Sequence, residues 1–193
     1  MADEIIKTVN QIKKGDRAAF DKFYEAYHLE LYRSACLMLG NSCDAEDVLQ
    51  ETFVVVFLHM QDIRDPERIR PWLYKIMLHS IFSLREKSNR ETADEDILAK
   101  ADAMASQENS TESTSIDSWE HTEMVRSLQK LDPKHRQVLV LYYYNELSIP
   151  EIAEVTGTLT GTVKSRLHHA RKKLKQILNE NHTFCPEEVF NHV

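Results

Sequence analysis

Between Thr160 and Lys175 the chain sets Lys164, Arg166, Arg171, Lys172, Lys173 and Lys175 among Ser165, His168 and His169. Val163, Leu167, Ala170, Leu174 and Ile177 or Leu178 recur through the same stretch at spacings of three and four. On a helix that pattern gathers the apolar residues into one stripe and leaves the bases on the other side. A helix of this kind can hold phosphates along its charged face. Its first turns can reach base edges, where an arginine bonds guanine through two parallel N–H donors. Just upstream, "LSIPEIAEVTG" opens with Ser148 and has Glu151 three residues later, a capping box, and it closes on Gly157, suited to a left-handed helix end. Two short helices joined by a glycine turn make a helix-turn-helix. Thr160, which we expect to cap the second helix, Gly161 and Thr162 are small enough to let its start approach a DNA backbone closely. A plain amphipathic helix with a solvated basic face is the competing reading, and the capped helix before it favours DNA.

Other chemistry finds little support. No nucleophile and base are placed together by spacing, and the nine histidines form no HExxH or similar ligand pattern. His168 and His169 are adjacent, hence about 100° apart on a helix, and make a poor metal pair. Three cysteines, Cys36, Cys43 and Cys185, without a CxxC pair argue against a disulfide framework or a zinc site. Cys36 is expected as a small core residue. The expectation is a protein without enzymatic activity, metal or cofactor. Farther upstream, Asp44, Glu46, Asp47, Gln50 and Glu51 share a polar helix face opposite Val48, Thr52 and Phe53. A solvated face would look the same, but this acidity suits a basic partner surface.

The elements that must position these groups are all helical. Ile5, Ile6, Val9 and Ile12 begin the pattern; Gly15 stops it and Asp16 caps the next helix. Phe20, Phe23, Tyr24, Tyr27 and Leu31 follow as a core stripe, ended by Gly40. Asp44 is expected to cap a third helix that buries Val48, Thr52, Phe53, Val56, Phe57 and Met60. Pro71 is expected in the first turn of a fourth, which runs to about Lys87. Met124, Val125, Leu128 and Leu131 make an apolar face, and Asp132 with Pro133 opens the helix after it.

The net charge of −7 is unevenly spread. Residues 89–120 carry nine acids against Arg90 and Lys100, a net of −7, whereas residues 160–180 carry a net of +5. Local charge decides DNA binding, so overall acidity does not oppose it. The acidic, Ser/Thr-rich stretch 89–118 reads as a flexible linker, with a short helix possible over 95–104. The expected organisation is all-α: residues 1–88 and 119–180 form two small helical domains, and 181–193 a tail. No apolar run approaches the roughly 18 residues that cross a bilayer. The N-terminus lacks the apolar core of a signal peptide, so we expect a cytoplasmic chain with no membrane insertion.

The stretch "LQKLDPKHRQVLVLYYYNELSIPEIAEVTGTLTGTVKSRLHHARKKL" resembles the fourth conserved region of bacterial sigma factors of the extracytoplasmic-function (ECF) type. "DAEDVLQETFVVVF" resembles the polymerase-clamp-binding helix of their second region, and "RPWLYKIMLHSIFSLREK" the promoter-melting segment. The resemblance implies a dissociable subunit that binds the clamp and flap of core RNA polymerase, directs promoter-specific transcription initiation, and is regulated by an anti-sigma factor. It implies that Thr160, Thr162, Lys164, Ser165, Arg166, His169 and Arg171 contact the minus-thirty-five element. His169 stands where relatives often have arginine, so binding there is expected to tighten on acidification as imidazole gains a proton. Asp44, Glu46, Asp47, Gln50 and Glu51 would hold polymerase.

The melting segment departs from the family. Met77, Leu78 and His79 stand for the usual Ala-Arg-Asn, and Ser83 and Glu86 for a following Asp and Arg. Trp72 and His79 could stack a flipped minus-ten base while Lys75, Arg85 and Lys87 hold phosphate, although Trp72 by itself reads first as core. Two rivals share parts of the pattern. A response-regulator output domain would not need the N-terminal block, and a sigma mimic would not need the basic recognition helix.

Overall fold

In the computed structural model, which describes residues 2–95 and 124–180, Asp16 caps a 23-residue helix by accepting a hydrogen bond from the Ala19 N–H at 3.2 Å. The elements are α1 (Ala2–Lys13), α2 (Arg17–Leu39), α3 (Ser42–His59), two short 3₁₀ turns (Met60–Asp62 and Pro66–Arg68) and α4 (Ile69–Glu95). A helical turn, α5 (124–129), follows, then α6 (Pro133–Leu139), a π-helical turn (Val140–Tyr144), α7 (Ile149–Val155) and α8 (Thr160–Glu180). No strand occurs among the described residues.

The N-terminal unit stacks α1 on α2, α2 on α3 and α3 on α4. Phe23, Tyr27 and Leu31 of α2 are buried there with Val48, Phe53 and Val56 of α3 and Leu73, Tyr74 and Met77 of α4. In the C-terminal unit α6 and α7 pack on α8, with Val138, Leu141, Ile152, Val163, Leu167, Ala170 and Leu178 enclosed. Cys36 is half-buried against the core, where burial raises its thiol pKa.

Several local expectations change. Asn41, not Asp44, caps α3: its Oδ1 accepts from the Asp44 N–H at 2.7 Å, and its Nδ2 donates to Asp44 Oδ2 at 2.8 Å. Either side chain can cap, and the chain enters the helix three residues earlier than expected. Phe57 is not buried but 56% exposed, because the core-facing stripe of α3 runs through Val48, Thr52 and Val56 and leaves Phe57 at its edge. Tyr24 lies at the rim of the aromatic stripe, 4.5 Å from the Phe53 ring and stacked on His28. Thr160 is the first residue of α8 rather than its cap; the Leu159 carbonyl accepts the Val163 N–H. Helix α4 continues to Glu95, so the first seven residues assigned to the linker are helical. The rest of that linker, the helix expected over 95–104 beyond its first residue, and the tail 181–193 lie outside the described residues.

Candidate DNA and polymerase interfaces

The Ser148–Glu151 capping box forms: Ser148 Oγ accepts the Glu151 N–H, and Glu151 accepts the Ser148 N–H at 2.8 Å. Gly157 takes φ +62, which turns the chain out of α7 with little steric cost. Val155 and Ile152 are buried on one side of this turn and Val163 and Leu167 on the other, which fixes α8 against α7. Every base named on α8 therefore points away from the core. Lys164, Ser165, His168, His169, Arg171, Lys172, Lys173 and Lys175 are exposed, while Thr162 and Arg166 are half-exposed. Thr160 and Lys164 line a shallow recess with Tyr142, Ser148 and Pro150 beside the helix start. The arrangement offers free N–H donors, a positive helix end and a row of cations to one rod-shaped anion.

On α4, Trp72, Lys75 and His79 lie on one face and line a cleft of about 630 Å³. Phe82, 60% exposed and one turn beyond His79, extends the strip. Sequence reasoning missed it, although positions 72, 75, 79 and 82 share helical spacing. Trp72 is half-buried, so it both packs on the core and shows an edge to the cleft. Leu78, standing for the family's arginine, is 9% exposed and belongs to the core. Arg85 is not with the strip: its Nη2 donates to the Met38 carbonyl at 3.1 Å. Lys87 is exposed and does not line the cleft.

On α3, Glu46, Asp47, Gln50 and Glu51 are exposed and Asp44 is partly so. The same outer face continues into Val54, Phe57 and Leu58, which are 56–65% exposed. An exposed run of large apolar side chains is unusual on a monomer and, rimmed by charge, has the make-up of an interface.

Two family models match the chain: Sigma-70 region 2 over residues 23–91 and Sigma-70 region 4 over residues 121–174. The ECF RNA polymerase sigma factor SigW of Bacillus subtilis is 32% identical over 182 residues, which span 91% of this chain and 97% of that protein. This chain belongs to the ECF RNA polymerase sigma factors. It binds core polymerase and directs promoter-specific initiation. The ECF sigma factor SigL of Mycobacterium tuberculosis is 30% identical over 86% of this chain and 92% of its own. Among solved structures, CnrH in complex with the cytosolic domain of CnrY superposes with a TM-score of 0.67 at 25% identity, covering 91% of this chain and 97% of that one. RpoE of Bartonella quintana, solved with the anti-sigma factor NepR, shares the fold with a TM-score of 0.67 at 22% identity, covering 83% and 96%.

In this sigma factor the two units touch. The cleft beside Trp72 and His79 has Gln137 of α6 and Val155, Thr156 and Gly157 of the helix-turn-helix as its far wall. Arg136, only 5% exposed, donates to the Met38 carbonyl at 2.6 Å, to the Gln129 and Leu131 carbonyls at 3.2 Å, and to Gln129 Oε1. Among the described residues its partners are carbonyl and amide oxygens. Burial, and next the neighbouring Arg85, lower its pKa to about 10, with Asp132 opposing. Gln129 Nε2 donates to the Leu37 carbonyl at 3.2 Å, so three side chains serve the carbonyl end of α2. Sequence reasoning gave Gln129, Arg136 and Asn145 no role; an Asn in a buried position after an apolar run was the available signal.

Proposed function

We propose that this sigma factor divides initiation among three faces. Residues 119–180 read the minus-thirty-five element through α8, with Thr160, Thr162, Lys164, Ser165 and Arg166 over the groove and His169 and Arg171 on phosphate. Residues 1–88 carry the other two faces. Asp44, Glu46, Asp47, Gln50 and Glu51, joined by Val54, Phe57 and Leu58, hold the polymerase clamp. Trp72, Lys75 and His79, joined by Phe82, take the melted minus-ten strand, with stacking in place of the absent Arg and Asn. The observation that carries this reading is the unobstructed basic face of a helix-turn-helix whose partner helix is capped as such a motif requires.

The protein acts by binding and is not an enzyme; we place it in the cytoplasm, where its polymerase and DNA are. No described helix is long and apolar enough to cross a membrane. A protein inhibitor of the anti-sigma kind is the expected regulator, supported by the partner-bound state of the two structural neighbours.

Run-off transcription with purified core polymerase on genomic promoter fragments tests the reading. Specific transcripts that vanish with Lys164→Ala plus Arg166→Ala support it. Loss of core binding by the wild-type chain would sink it.

A further inference from the structure

A cavity of about 470 Å³ opens between α1 and α2, and none of the residues lining it belongs to the faces proposed for DNA or polymerase. Ile5, Phe23 and Ala26 supply its apolar surface, and Tyr27, Glu30 and Arg70 stand together in the same lining. A concave, mostly apolar space of this size with a few convergent polar groups has the make-up of a small-molecule site.

Tyr27 is the unusual member. Its side chain is only 4% exposed, and its hydroxyl is buried with no hydrogen-bond partner among the described residues. A phenylalanine would keep the ring, which packs 4.8 Å from that of Phe23, and avoid the cost of an unpaired polar group. Burial raises the Tyr27 pKa, Arg70 lowers it and Glu30 raises it, so the hydroxyl sits toward the Arg70–Glu30 end of the cavity.

The groups at that end are unequally engaged. Glu30 Oε1 accepts from Arg70 Nη2 at 3.0 Å and from the Tyr74 hydroxyl. Tyr74 is held in turn by Asn145, a fully enclosed side chain whose Nδ2 donates to the Tyr74 hydroxyl at 2.9 Å and to Ser34 Oγ at 2.7 Å. Arg70 Nη2 also donates to the Asn145 carbonyl at 2.9 Å. Among the described residues every hydrogen bond of Arg70 runs from Nη2, which leaves the donors on Nη1 and Nε. Lys22, also in the lining, adds an exposed ammonium. The carboxylate is therefore occupied while donors are in surplus, and the missing complement is an acceptor. A single negative charge suits the place. A dianion such as phosphate would face both Glu30 and the exposed Glu4, which lines the cavity too.

We propose that this cavity binds a small monocarboxylate with a short apolar body, its carboxylate accepting from the Tyr27 hydroxyl, Arg70 and Lys22 and its body lying on Ile5, Phe23 and Ala26. The site gives the chain a small-molecule input that does not compete with DNA or polymerase for the same side chains.

Titration of the isotope-labelled full chain with hexanoate and with phenylacetate, followed by amide shifts, tests the site. Saturable shifts centred on residues 5–8 and 22–30 are expected with at least one of them. Hexanol and hexylamine keep the body and lose the negative charge, and should bind at least tenfold more weakly. Tyr27→Phe should weaken the carboxylate about tenfold while the melting temperature of the unliganded chain stays level or rises, which a purely structural tyrosine would not give. Lys22→Ala should weaken it several-fold. No saturable shift with either acid, equal or tighter binding of the alcohol or the amine, or unchanged affinity in Tyr27→Phe overturns the proposal. If Tyr27→Phe fails to fold, Ala26→Phe decides instead, since it fills the cavity from an exposed helix position. Carboxylate binding that survives that substitution counts against the site, and its loss supports it.

Discussion

The basic face of α8 and the aromatic strip of α4 are the two faces proposed above to meet DNA, and the fold treats them oppositely. The α8 cations stand open to solvent on a helix whose other side is buried in its own unit. The α4 strip faces a cleft whose far wall is the helix-turn-helix itself. The first can attract duplex at long range in any arrangement of the chain, since its action is electrostatic. The second works by stacking at contact distance and depends on where region 4 sits. One of the two proposed DNA faces is therefore open in this arrangement, and the other lies across a cleft from region 4.

The largest effect should come from the available face. Lys164→Ala with Arg166→Ala is expected to weaken duplex minus-thirty-five binding by about a hundredfold, at roughly 1–3 kcal/mol per lost bidentate base contact. If both contact phosphate instead, the slope of log K against log salt should fall by about 1.8. Anisotropy titrations at several salt concentrations distinguish the two. Unchanged binding would erase the contrast between the faces.

Next in size is the α3 face proposed to hold polymerase. Phe57→Asp or Leu58→Asp should weaken core association by roughly 10- to 100-fold, as expected for a central interface anchor. Because both side chains are already more than half exposed, the helix content and melting temperature should hardly move. A competition pull-down against wild type measures this.

On the face that lines the cleft, Phe82→Ala and Trp72→Ala should each reduce promoter opening by the cost of a lost base stack, about 1–3 kcal/mol. Permanganate footprinting reads opening, and duplex binding through α8 should stay unchanged. Equal losses in both assays would show that the two faces are not separable. Ser148→Ala, which removes the α7 cap, should cost about 1 kcal/mol of stability in a thermal melt.

The smallest effect concerns pH. Burial first, and then the Glu30 carboxylate, raise the Tyr74 pKa far above its usual value. A phenol whose pKa is higher folded than unfolded contributes stability that is complete below about pH 10 and lost as pH climbs beyond it. Tyr74→Phe should therefore show a shallower alkaline loss of stability than wild type in denaturant melts between pH 9 and 11.

Much of this was legible along the chain because the signals are local. Asp16, Gly40, Asp132 with Pro133, and Ser148 with Glu151 act within a few residues, and the structure uses each as expected. The exchange of Asp44 for Asn41 as the α3 cap shows the limit, since two neighbouring side chains compete for the same N–H groups. Phe57 misled because hydrophobicity alone does not say whether a residue at the edge of a helical stripe meets a neighbour. Val54 and Phe82 went unnoticed for the same reason.

By itself, then, the sequence determined two helical units, a basic helix with one buried stripe, and an acidic helix face, all consequences of periodicity and of capping chemistry that span at most a turn or two. Only the tertiary structure decided that Asn145 meets Ser34, 111 positions away, that Arg136 serves a carbonyl of α2, and that the Trp72–Phe82 strip faces region 4. Such contacts join residues with no common period, so their energy appears only once both units are packed and their polar groups must find partners or go without.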